Sequence, residues 1–269
     1  MNFILDRNKD FEINRLINQA TCWQEEAELL FDRIDIHPGW KCVDLGCGPM
    51  GVLDPLSRRV GVSGQVTGVD HNPYYIQAAK KFINQKHLTN VLVINGDLFN
   101  NSLKSHSFNL CHMRFVFSEK GCDRKLLEKM IDLTQPGGVI VSQESDWTTW
   151  KCYPQKTPWS IIRNAMIALF EYKGGDINAG LRTFQMFNET DLSEIQIRTA
   201  ILAMPLGHPY RSGLVQFALS MREKIISAHI LTKNEFDKQI DECKEVIMNP
   251  NVIILSYTLT QVWGWVKCK

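Results

Sequence analysis

The feature that most constrains this chain is a glycine turn between a short apolar run and a helix-like segment. The run Trp40–Val43 is bounded by Pro38-Gly39 and leads into Asp44-Leu45-Gly46-Cys47-Gly48-Pro49-Met50-Gly51. Glycines at 46 and 48 permit positive φ and let a ligand approach bare backbone. The free N–H groups at the start of the next helix point to the same place. The pattern therefore predicts a strand–turn–helix unit that binds a nucleotide-type ligand.

Two classes of nucleotide ligand are compatible with this turn. Gly46-x-Gly48-x-x-Gly51 fits the dinucleotide fingerprint, and Asp70 lies at a suitable distance to hold a ribose. However, Asp44 would repel a pyrophosphate and suits a ligand that carries an ammonium group. Asp97, after the third apolar run, can accept a hydrogen bond from an adenine amine. We therefore favour a cationic, non-phosphorylated adenosine ligand and keep a nicotinamide-dependent oxidoreductase as the alternative.

Four motifs carry a resemblance to the class I S-adenosylmethionine (SAM)-dependent methyltransferases. They are Val43-Asp44-Leu45-Gly46-Cys47-Gly48, Gly68-Val69-Asp70, Gly96-Asp97 and Pro136-Gly137-Gly138. Their order and spacing match that superfamily from about residue 36 to residue 147. The resemblance implies methyl transfer from SAM.

Two further segments are similar to a small-molecule subgroup that includes quinone-biosynthesis and natural-product methyltransferases. These segments are Asn109–Phe117 and Gln143–Trp147. No Asn/Asp-Pro-Pro-Tyr/Phe motif follows the fourth strand, where amino-methylating nucleic-acid enzymes of the superfamily carry one. We therefore expect a small, aromatic or apolar acceptor, with the acceptor atom (O, C or N) left open. A protein or RNA methyltransferase and a non-catalytic SAM-binding regulatory protein are further alternatives.

Strand-like and helix-like segments alternate along the chain, which predicts an α/β fold with helices on both faces of a parallel sheet. The resemblance implies a Rossmann-like, seven-stranded, mostly parallel sheet with an antiparallel edge strand. The predicted strands are 41–45, 65–70, 91–95, 108–113, 139–143, 194–203 and 252–266. We expect one methyltransferase domain over 1–269. Its parts are an N-terminal helical cap (1–35), a SAM-binding core (36–147), and helical lid insertions over the substrate (148–175 and 205–250).

The resemblance also implies cofactor contacts, residue by residue. Asp44 and the Gly46 backbone face the methionine ammonium, and the turn Gly46-Cys47-Gly48 passes under the methionine and ribose. Asp70 accepts both ribose hydroxyls. The remaining predicted contacts are His71 beside the adenine, Gly96-Asp97 and Leu98 at the adenine edge, and Arg114 at the methionine end or on an anionic acceptor. We interpret Cys47 as a space-filling residue of the turn.

Catalysis needs little from the protein, because the sulfonium of SAM is already activated. The chain must align the acceptor with the methyl group and exclude water. A base is needed only if the acceptor loses a proton. Glu144 is the favoured base and His112 the second catalytic candidate, while positioning without proton transfer is equally compatible. Asp146, Trp147, Tyr153 and His208 are the predicted substrate-binding residues.

Composition limits the partners. The net charge is +1, which implies no polyanion, and no apolar run is long enough to span a membrane. The eight cysteines form no C-x-x-C pair, so neither a metal site nor a disulfide framework is expected.

The start, Met1–Asp6, lacks the regions of a signal peptide. We expect a cytoplasmic protein with a small-molecule acceptor and no nucleic-acid or membrane partner. A homodimer through the lid helices is a compatible assembly.

Overall fold

The computed structural model describes residues 9–99 and 102–268; the first eight residues of the predicted helical cap lie outside these ranges. The helices are α1 (Lys9–Cys22), α2 (Gln24–Ile34), α3 (Leu53–Val60), α4 (Pro73–Gln85), α5 (Phe117–Lys120), α6 (Arg124–Leu133), α7 (Thr157–Tyr172), α8 (Ala179–Asn188), α9 (Gly213–Ser220), α10 (Arg222–Ser227) and α11 (Lys233–Met248). The strands are β1 (Lys41–Leu45), β2 (Gln65–Asp70), β3 (Val91–Asn95), β4 (Phe108–Arg114), β5 (Thr134–Asp146), β6 (Lys151–Tyr153), β7 (Ser193–Ala200), β8 (Ala203–Met204), β9 (Ile253–Leu255) and β10 (Thr258–Trp265).

The main sheet has seven strands in the order β3-β2-β1-β4-β5-β10-β7. The first five strands of this sheet run parallel to one another. Strand β10 runs antiparallel to both β5 and β7, so the last two strands of the sheet form an antiparallel pair at its edge. The predicted Rossmann-like fold is confirmed.

Alternation along the strands places apolar side chains on both faces of the sheet. Val43 and Leu45 of β1 pack in a core with α6 and α8, whereas Cys42 packs in a second core with α2, α3 and α4. Each face of a parallel sheet needs such a helical cover, because both faces must be removed from water. The two cores fix the carboxyl ends of β1, β2 and β4 as one rigid edge.

Several helices begin where the sequence predicts. Asn72 caps α4 by accepting a hydrogen bond from the Tyr74 N–H, and Pro73 occupies the first helical position. Thr232 and Glu235 form the predicted capping box of α11. Thr21 has the residue type of a helix cap but lies inside α1, because the chain turns at Trp23 before α2 begins. Helix α3, which follows the glycine turn, begins at Leu53.

The long strand predicted over 252–266 is wrong, because the chain divides there. Strand β9 joins a separate three-stranded sheet in the order β6-β9-β8, and only β10 enters the main sheet. Ser256 marks the division: its N–H donates to Leu202 O and its hydroxyl accepts from the Leu202 N–H. The fifth strand is longer than predicted and extends to Asp146.

The small sheet packs with α7, α9, α10 and α11 around a tryptophan-rich core. Trp147, Trp150 and Trp159 are all buried in it, together with Tyr257 at the start of β10. Helix α1 contacts α9 from the other side. No helix within the described residues is long and apolar enough to cross a membrane.

Candidate functional site

The carboxyl ends of β1, β2 and β4 surround a cavity that we call the strand-end cavity. It is closed by α1 and by the segment that follows β4. Its lining residues are Leu16, Gln19, Ala20, Asp44, Gly46, Cys47, Gly48, Pro49, Gly51, Asp70, His71, Tyr75, Leu98, Arg114, Phe115, Val116, Glu119 and Lys120. Eight of the ten predicted cofactor-binding residues are therefore brought together here. Gly96 and Asp97 are not part of this lining.

The glycine turn is anchored on β2. The N–H groups of Gly46 and Cys47 both donate to Val69 O, at 2.8 and 3.0 Å. Gly46 has φ +72°, and a Cβ there would lie 2.6 Å from Val116 Cγ2. A side chain at this position would be strained and would also collide with the wall of the cavity. The turn therefore presents backbone rather than side chains to a ligand.

Asp70 directs one carboxylate oxygen to the glycine turn and the other to the backbone that follows β2. Its Oδ2 accepts from the Gly48 N–H at 2.9 Å, and its Oδ1 accepts from the Asn72 N–H at 2.8 Å. Burial raises the pKa of Asp70, and these two donors oppose that effect. The carboxylate is thus held in a fixed orientation at the cavity, with His71 Nδ1 at 3.6 Å from Oδ1.

Cys47 lies within the turn with its thiol buried. Burial, with Asp44 and Asp70 nearby, raises its pKa well above the ordinary value, so the thiol stays protonated. A protonated, buried thiol is a poor nucleophile. This environment agrees with the interpretation of Cys47 as a space-filling residue.

Asp44 lines the cavity and is held from two sides. Its Oδ2 accepts from the Val52 N–H at 3.1 Å, and its Oδ1 lies 2.7 Å from His112 Nδ1. His112 is fully buried and is not part of the cavity lining. The structure thus places His112 behind Asp44 rather than at either cavity, and its predicted catalytic role stays a prediction. The geometry makes His112 a positioning residue for Asp44.

Arg114 leaves β4 on the same side as His112, as strand alternation predicts. Its Nη2 donates to Gly51 O at 3.2 Å. Its Nη1 is buried and has no hydrogen-bond partner within residues 9–99 and 102–268. Burial lowers the pKa of this guanidinium, because removal from water disfavours its charged form. A buried donor without a partner is a ready contact for an anionic ligand group.

A larger groove of about 1050 Å³ lies on the far side of Arg114, between α1, α3 and α4. It shares Ala20, Gly51 and Arg114 with the strand-end cavity but contains neither Asp44 nor Asp70. Size alone does not identify a site. We place the candidate site in the strand-end cavity because the oriented carboxylates lie there.

Asp97 follows β3, as predicted, but its side chain is exposed. Its Oδ1 accepts from the Phe99 N–H at 2.8 Å, and the Gly96 N–H donates to Asp70 O. Leu98, the next residue, is buried and lines the cavity. The structure thus brings this loop to the cavity through Leu98, and the adenine contact of Asp97 stays a prediction.

A second cavity, which we call the aromatic cavity, adjoins the first. Its lining residues are Arg15, Leu16, Gln19, Phe115, Ser118, Glu119, Ser145, Trp147, Phe170, Tyr210, Phe217 and Tyr257. Leu16, Gln19, Phe115 and Glu119 line both cavities. Trp147 lies here, as predicted for substrate binding. Phe170, Tyr210 and Phe217 come from the segments predicted as lids.

Phe115 stands at the junction of the two cavities with a backbone conformation that is rare for a side chain of its size. Its φ is +59°, and its ring packs edge-on against Tyr257 with centroids 5.7 Å apart. Such strain persists only where the surrounding structure enforces it, and it is frequent at ligand sites. No sequence pattern we used indicates this residue.

Two tyrosines form the polar wall of the aromatic cavity. The Tyr257 hydroxyl accepts from Trp23 Nε1 at 2.7 Å and from Gln19 Nε2 at 3.0 Å. Burial raises the pKa of Tyr210 to about 12 and raises the pKa of Tyr257 well above its ordinary value. Both hydroxyls therefore keep their protons and can act as donors at neutral pH.

Among the described residues, Glu119 is the only carboxylate in the lining of the aromatic cavity, and it also lines the strand-end cavity. Burial raises its pKa above the ordinary glutamate value. Within the described ranges no group donates a hydrogen bond to its carboxylate. Sequence reasoning missed this residue, although a carboxylate five residues beyond the end of β4 was the available signal.

Glu144, predicted as the base, lies away from both cavities and is engaged by backbone donors. Its Oε1 accepts from the Val116 and Phe117 N–H groups, both at 2.9 Å, and its Oε2 accepts from the Ser118 N–H at 3.1 Å. Burial raises its pKa to about 7 against these donors. The side chain is fully buried and lines neither cavity. The carboxylate instead anchors the segment after β4, which carries Phe115 and Glu119.

Three predicted substrate-binding residues also lie outside both cavities. Asp146 accepts from the N–H and hydroxyl of Thr148 and so caps the short turn Trp147–Thr149. Tyr153, on β6, is 72% exposed. His208 Nδ1 accepts from the Tyr210 N–H at 3.2 Å. Asp146 was predicted from its place after the fifth strand, and Tyr153 and His208 from their place in the lid segments. Their roles in substrate binding stay predictions. Across the described ranges, no group of three or more metal-ligating side chains occurs.

Comparisons with known proteins agree with this geometry. A family model described as "Methyltransferase domain" matches residues 36–173. The demethylmenaquinone methyltransferase of Staphylococcus haemolyticus is 26% identical over 218 residues, covering 75% of this chain and 89% of that protein. The chain spans about half the length of some other relatives that it matches.

Solved structures agree on the fold. The YcgJ protein of Bacillus subtilis superposes with a TM-score of 0.59 at 15% identity, covering 91% of this chain and all of that one. A phosphoethanolamine N-methyltransferase of Haemonchus contortus, in complex with S-adenosylhomocysteine (SAH), gives 0.56 at 12% identity, covering 91% of this chain and 53% of that one. With its glycine turn, strand-end carboxylates and sheet order, this chain belongs to the methyltransferase-domain family and is a SAM-dependent methyltransferase.

Proposed function

We propose that the chain transfers the methyl group of SAM to a small aromatic molecule held in the aromatic cavity. The observation that carries this proposal is the junction of the two cavities, where Leu16, Gln19, Phe115 and Glu119 line both. Methyl transfer needs an acceptor atom aligned with the methyl group across such a junction. Orientation of this kind is the main source of rate in a reaction with an activated donor.

The residues of the strand-end cavity fit SAM. The buried, unpartnered Arg114 Nη1 suits the methionine carboxylate, and Asp44 suits the ammonium. Asp70 lines the cavity with one oxygen held by the glycine turn and the other by the Asn72 N–H, and ribose hydroxyls can replace or share these backbone donors. His71 and Leu98 form the wall expected for the adenine. SAM, when bound, supplies a methyl group on a positively charged sulfur.

The walls of the aromatic cavity support an aromatic acceptor that carries a hydroxyl group. Phe115, Trp147, Phe170 and Phe217 offer ring faces and edges, which favour offset or edge-on packing of another ring. Tyr210 supplies a protonated hydroxyl that can donate to an acceptor oxygen. The name of the Staphylococcus haemolyticus relative, demethylmenaquinone methyltransferase, is consistent with a quinol-type acceptor.

Glu119 is the residue we propose as proton acceptor. It lies at the junction, where the hydroxyl or ring proton of the acceptor would be released, and its raised pKa brings it closer to neutrality. No backbone donor competes for its carboxylate within the described residues. This assignment replaces Glu144, whose oxygens are all engaged by backbone groups.

The predicted domain parts are retained as part of this proposal. Helix α1 of the N-terminal cap closes the strand-end cavity, and the segments 148–175 and 205–250 supply Phe170, Tyr210 and Phe217 to the aromatic cavity. The cytoplasmic location, the homodimer and the absence of nucleic-acid and membrane partners stay predictions.

The first experiment is calorimetric titration with SAM, SAH and NADH, on the wild type and on Asp70→Ala. We expect SAM and SAH to bind and the variant to lose most of that affinity. Methyl transfer from radiolabelled SAM to a panel of naphthoquinols, hydroquinones and catechols would follow. Binding of NADH alone would contradict the cofactor. Transfer to protein or RNA but to none of the panel would contradict the acceptor class.

A further inference from the structure

A continuous line of hydrogen bonds crosses the main sheet from the strand-end cavity to its far edge. His112 Nδ1 lies 2.7 Å from Asp44 Oδ1, and His112 Nε2 lies 2.8 Å from Gln143 Nε2. Gln261 Nε2 lies 2.9 Å from Gln143 Oε1. Arg198 Nη1 lies 2.7 Å from Gln261 Oε1. The line thus joins β1, β4, β5, β10 and β7 in their order in the sheet.

The strand register makes this line possible. Asp44 lies opposite His112, and Gln261 lies opposite both Gln143 and Arg198. His112, Gln143 and Gln261 are fully buried, so water cannot substitute for any partner. Five polar side chains therefore lie on one face of the sheet core. Such a row is unusual, because every buried polar group in it must have a hydrogen-bond partner.

Arg198 and the Glu26 carbonyl together set the direction of the hydrogen bonds in the line, because both contact the Gln261 amide. A guanidinium has donors only, so Gln261 must present its oxygen to Arg198. The Gln261 amide nitrogen then faces the other way, where it donates to Glu26 O at 3.0 Å and to Gln143 Oε1. A reversed Gln261 amide would place its oxygen against the Glu26 carbonyl and its NH₂ against the guanidinium.

The same argument determines which ring nitrogen of His112 carries the proton. Because the Gln143 oxygen accepts from Gln261, its NH₂ group donates to His112 Nε2. An Nε2 that accepts carries no proton, so the ring hydrogen is on Nδ1 and is donated to Asp44. His112 is then neutral, and Asp44 is held as a carboxylate.

We infer that Arg198, on edge strand β7, is a positioning residue for Asp44: through Gln261 and Gln143 it fixes His112 as the neutral Nδ1–H tautomer. Asp44 thereby remains an acceptor with its remaining lone pairs free for a cationic ligand group. The charged groups around the line are Glu26, whose Oε2 lies 2.5 Å from Arg198 Nη2, and Arg114 at the cavity. The link to ligand binding rests on the proposed function, whereas the tautomer does not.

The direct test is ¹⁵N NMR of the histidine rings in the full-length protein without ligand, with the His112 signals identified by their loss in His112→Asn. We expect a protonated Nδ1 and an unprotonated Nε2. A protonated Nε2, alone or in an imidazolium, would overturn the inference. The protonation state is measured on the wild type, and His112→Asn serves only to assign the His112 signals.

Variants of Gln261 and Arg198 test the direction of the hydrogen bonds in the line. Gln261→Glu presents only acceptors to Gln143, so the Gln143 amide should reverse and turn its oxygen to His112. Nε2 should then gain a proton while Nδ1 still donates to Asp44, which gives an imidazolium. Arg198→Met removes one of the two groups that orient Gln261 and should give partial protonation of Nε2, whereas Arg198→Lys keeps a donor and should restore the neutral Nδ1–H form. An unchanged tautomer in Arg198→Met would show that Arg198 does not set the direction.

Affinity measurements with two ligands distinguish a failure of this inference from a failure of the proposed function. Gln261→Glu should weaken SAH at least tenfold and leave 5′-methylthioadenosine, which has no amino-acid part, nearly unchanged. Equal weakening of both ligands would contradict a specific effect on Asp44. Failure of the wild type to bind SAH would remove the proposed function, while the tautomer measurement would still decide the inference.

Discussion

Gly51 lies directly against Asp44: a Cβ at Gly51 would stand 2.1 Å from Asp44 Oδ2 and 2.8 Å from Cys47 O. The third glycine of the literal dinucleotide fingerprint is thus required here by a carboxylate. Val52, the next residue, donates its N–H to that same oxygen. The glycine therefore lets the backbone pass close to Asp44. For this reason a sequence that matches the pyrophosphate-binding glycine fingerprint can occur at a site whose carboxylate suits a cationic ligand.

Gly51→Ala should abolish measurable SAH binding, because the new methyl group displaces Asp44. The φ of +50° adds a backbone cost of roughly 1–2 kcal/mol. Calorimetric titration measures the first effect and thermal unfolding the second. Gly61→Ala is the matched control: its φ is +62°, but nothing lies within 4 Å of the new Cβ. That variant should lose stability and keep its affinity, and SAH binding by Gly51→Ala would refute the packing argument.

Glu119→Gln should leave SAH affinity within a few-fold of the wild type and reduce kcat by about 10²- to 10⁴-fold. The amide is isosteric but cannot take a proton. Because the carboxylate is the active form and burial raises its pKa, the wild-type rate should rise with pH through a value above that of an ordinary glutamate. The pH profile of kcat with an acceptor from the quinol panel checks this. A full rate in Glu119→Gln would show that transfer needs no base.

Glu144→Gln should behave as a structural variant. One oxygen becomes an NH₂ group that faces the Ser118 N–H, which costs about 1–3 kcal/mol of unfolding free energy. Denaturant unfolding measures it. The native pKa is about 7, above the ordinary 4.5, so the native state binds more protons between these values. The stability of the wild type relative to Glu144→Gln should therefore fall as pH rises from about 4.5 to 7. A large loss of kcat with unchanged stability would instead restore Glu144 as the base.

Arg114→Met should reduce SAM affinity roughly 10- to 100-fold, as expected for a lost buried hydrogen bond to a charged group. Decarboxylated SAM is the matched ligand, because it keeps the ammonium and sulfonium but lacks the carboxylate. The wild type should prefer SAM over decarboxylated SAM, and Arg114→Met should remove that preference. If the preference survives, the unpartnered Nη1 of Arg114 does not meet the methionine carboxylate.

The sequence predicted well what depends on local pattern. Asp44 and Asp70 lie at the ends of β1 and β2, Gly46 and Gly48 follow β1, and parallel strands bring their carboxyl ends to one edge. Eight of the ten predicted cofactor residues therefore line the strand-end cavity, whereas the lining residues from α1 and from the segment after β4 were not among those predicted. Caps such as Asn72 and Thr232 were equally readable, because they act within three residues of their own position.

The aromatic cavity could not be predicted in this way. Its walls come from α1, the segment after β4, α7, α9 and the start of β10. Residues near Trp147 in sequence, such as Tyr153, point elsewhere, whereas Tyr257 arrives from more than a hundred positions away. Only long-range packing decides which of these side chains share a space.

By itself, then, the sequence determined the sheet, the turn and the cofactor carboxylates, because these follow from periodicity, backbone freedom and the meeting of parallel strand ends. The tertiary structure decided the roles of the buried acids. Glu144 and Glu119 are both glutamates near strand ends, yet three backbone donors surround the first and none in the described chain reaches the second. Whether a carboxylate anchors or reacts depends on which donors fold against it, and that is fixed by contacts distant in sequence.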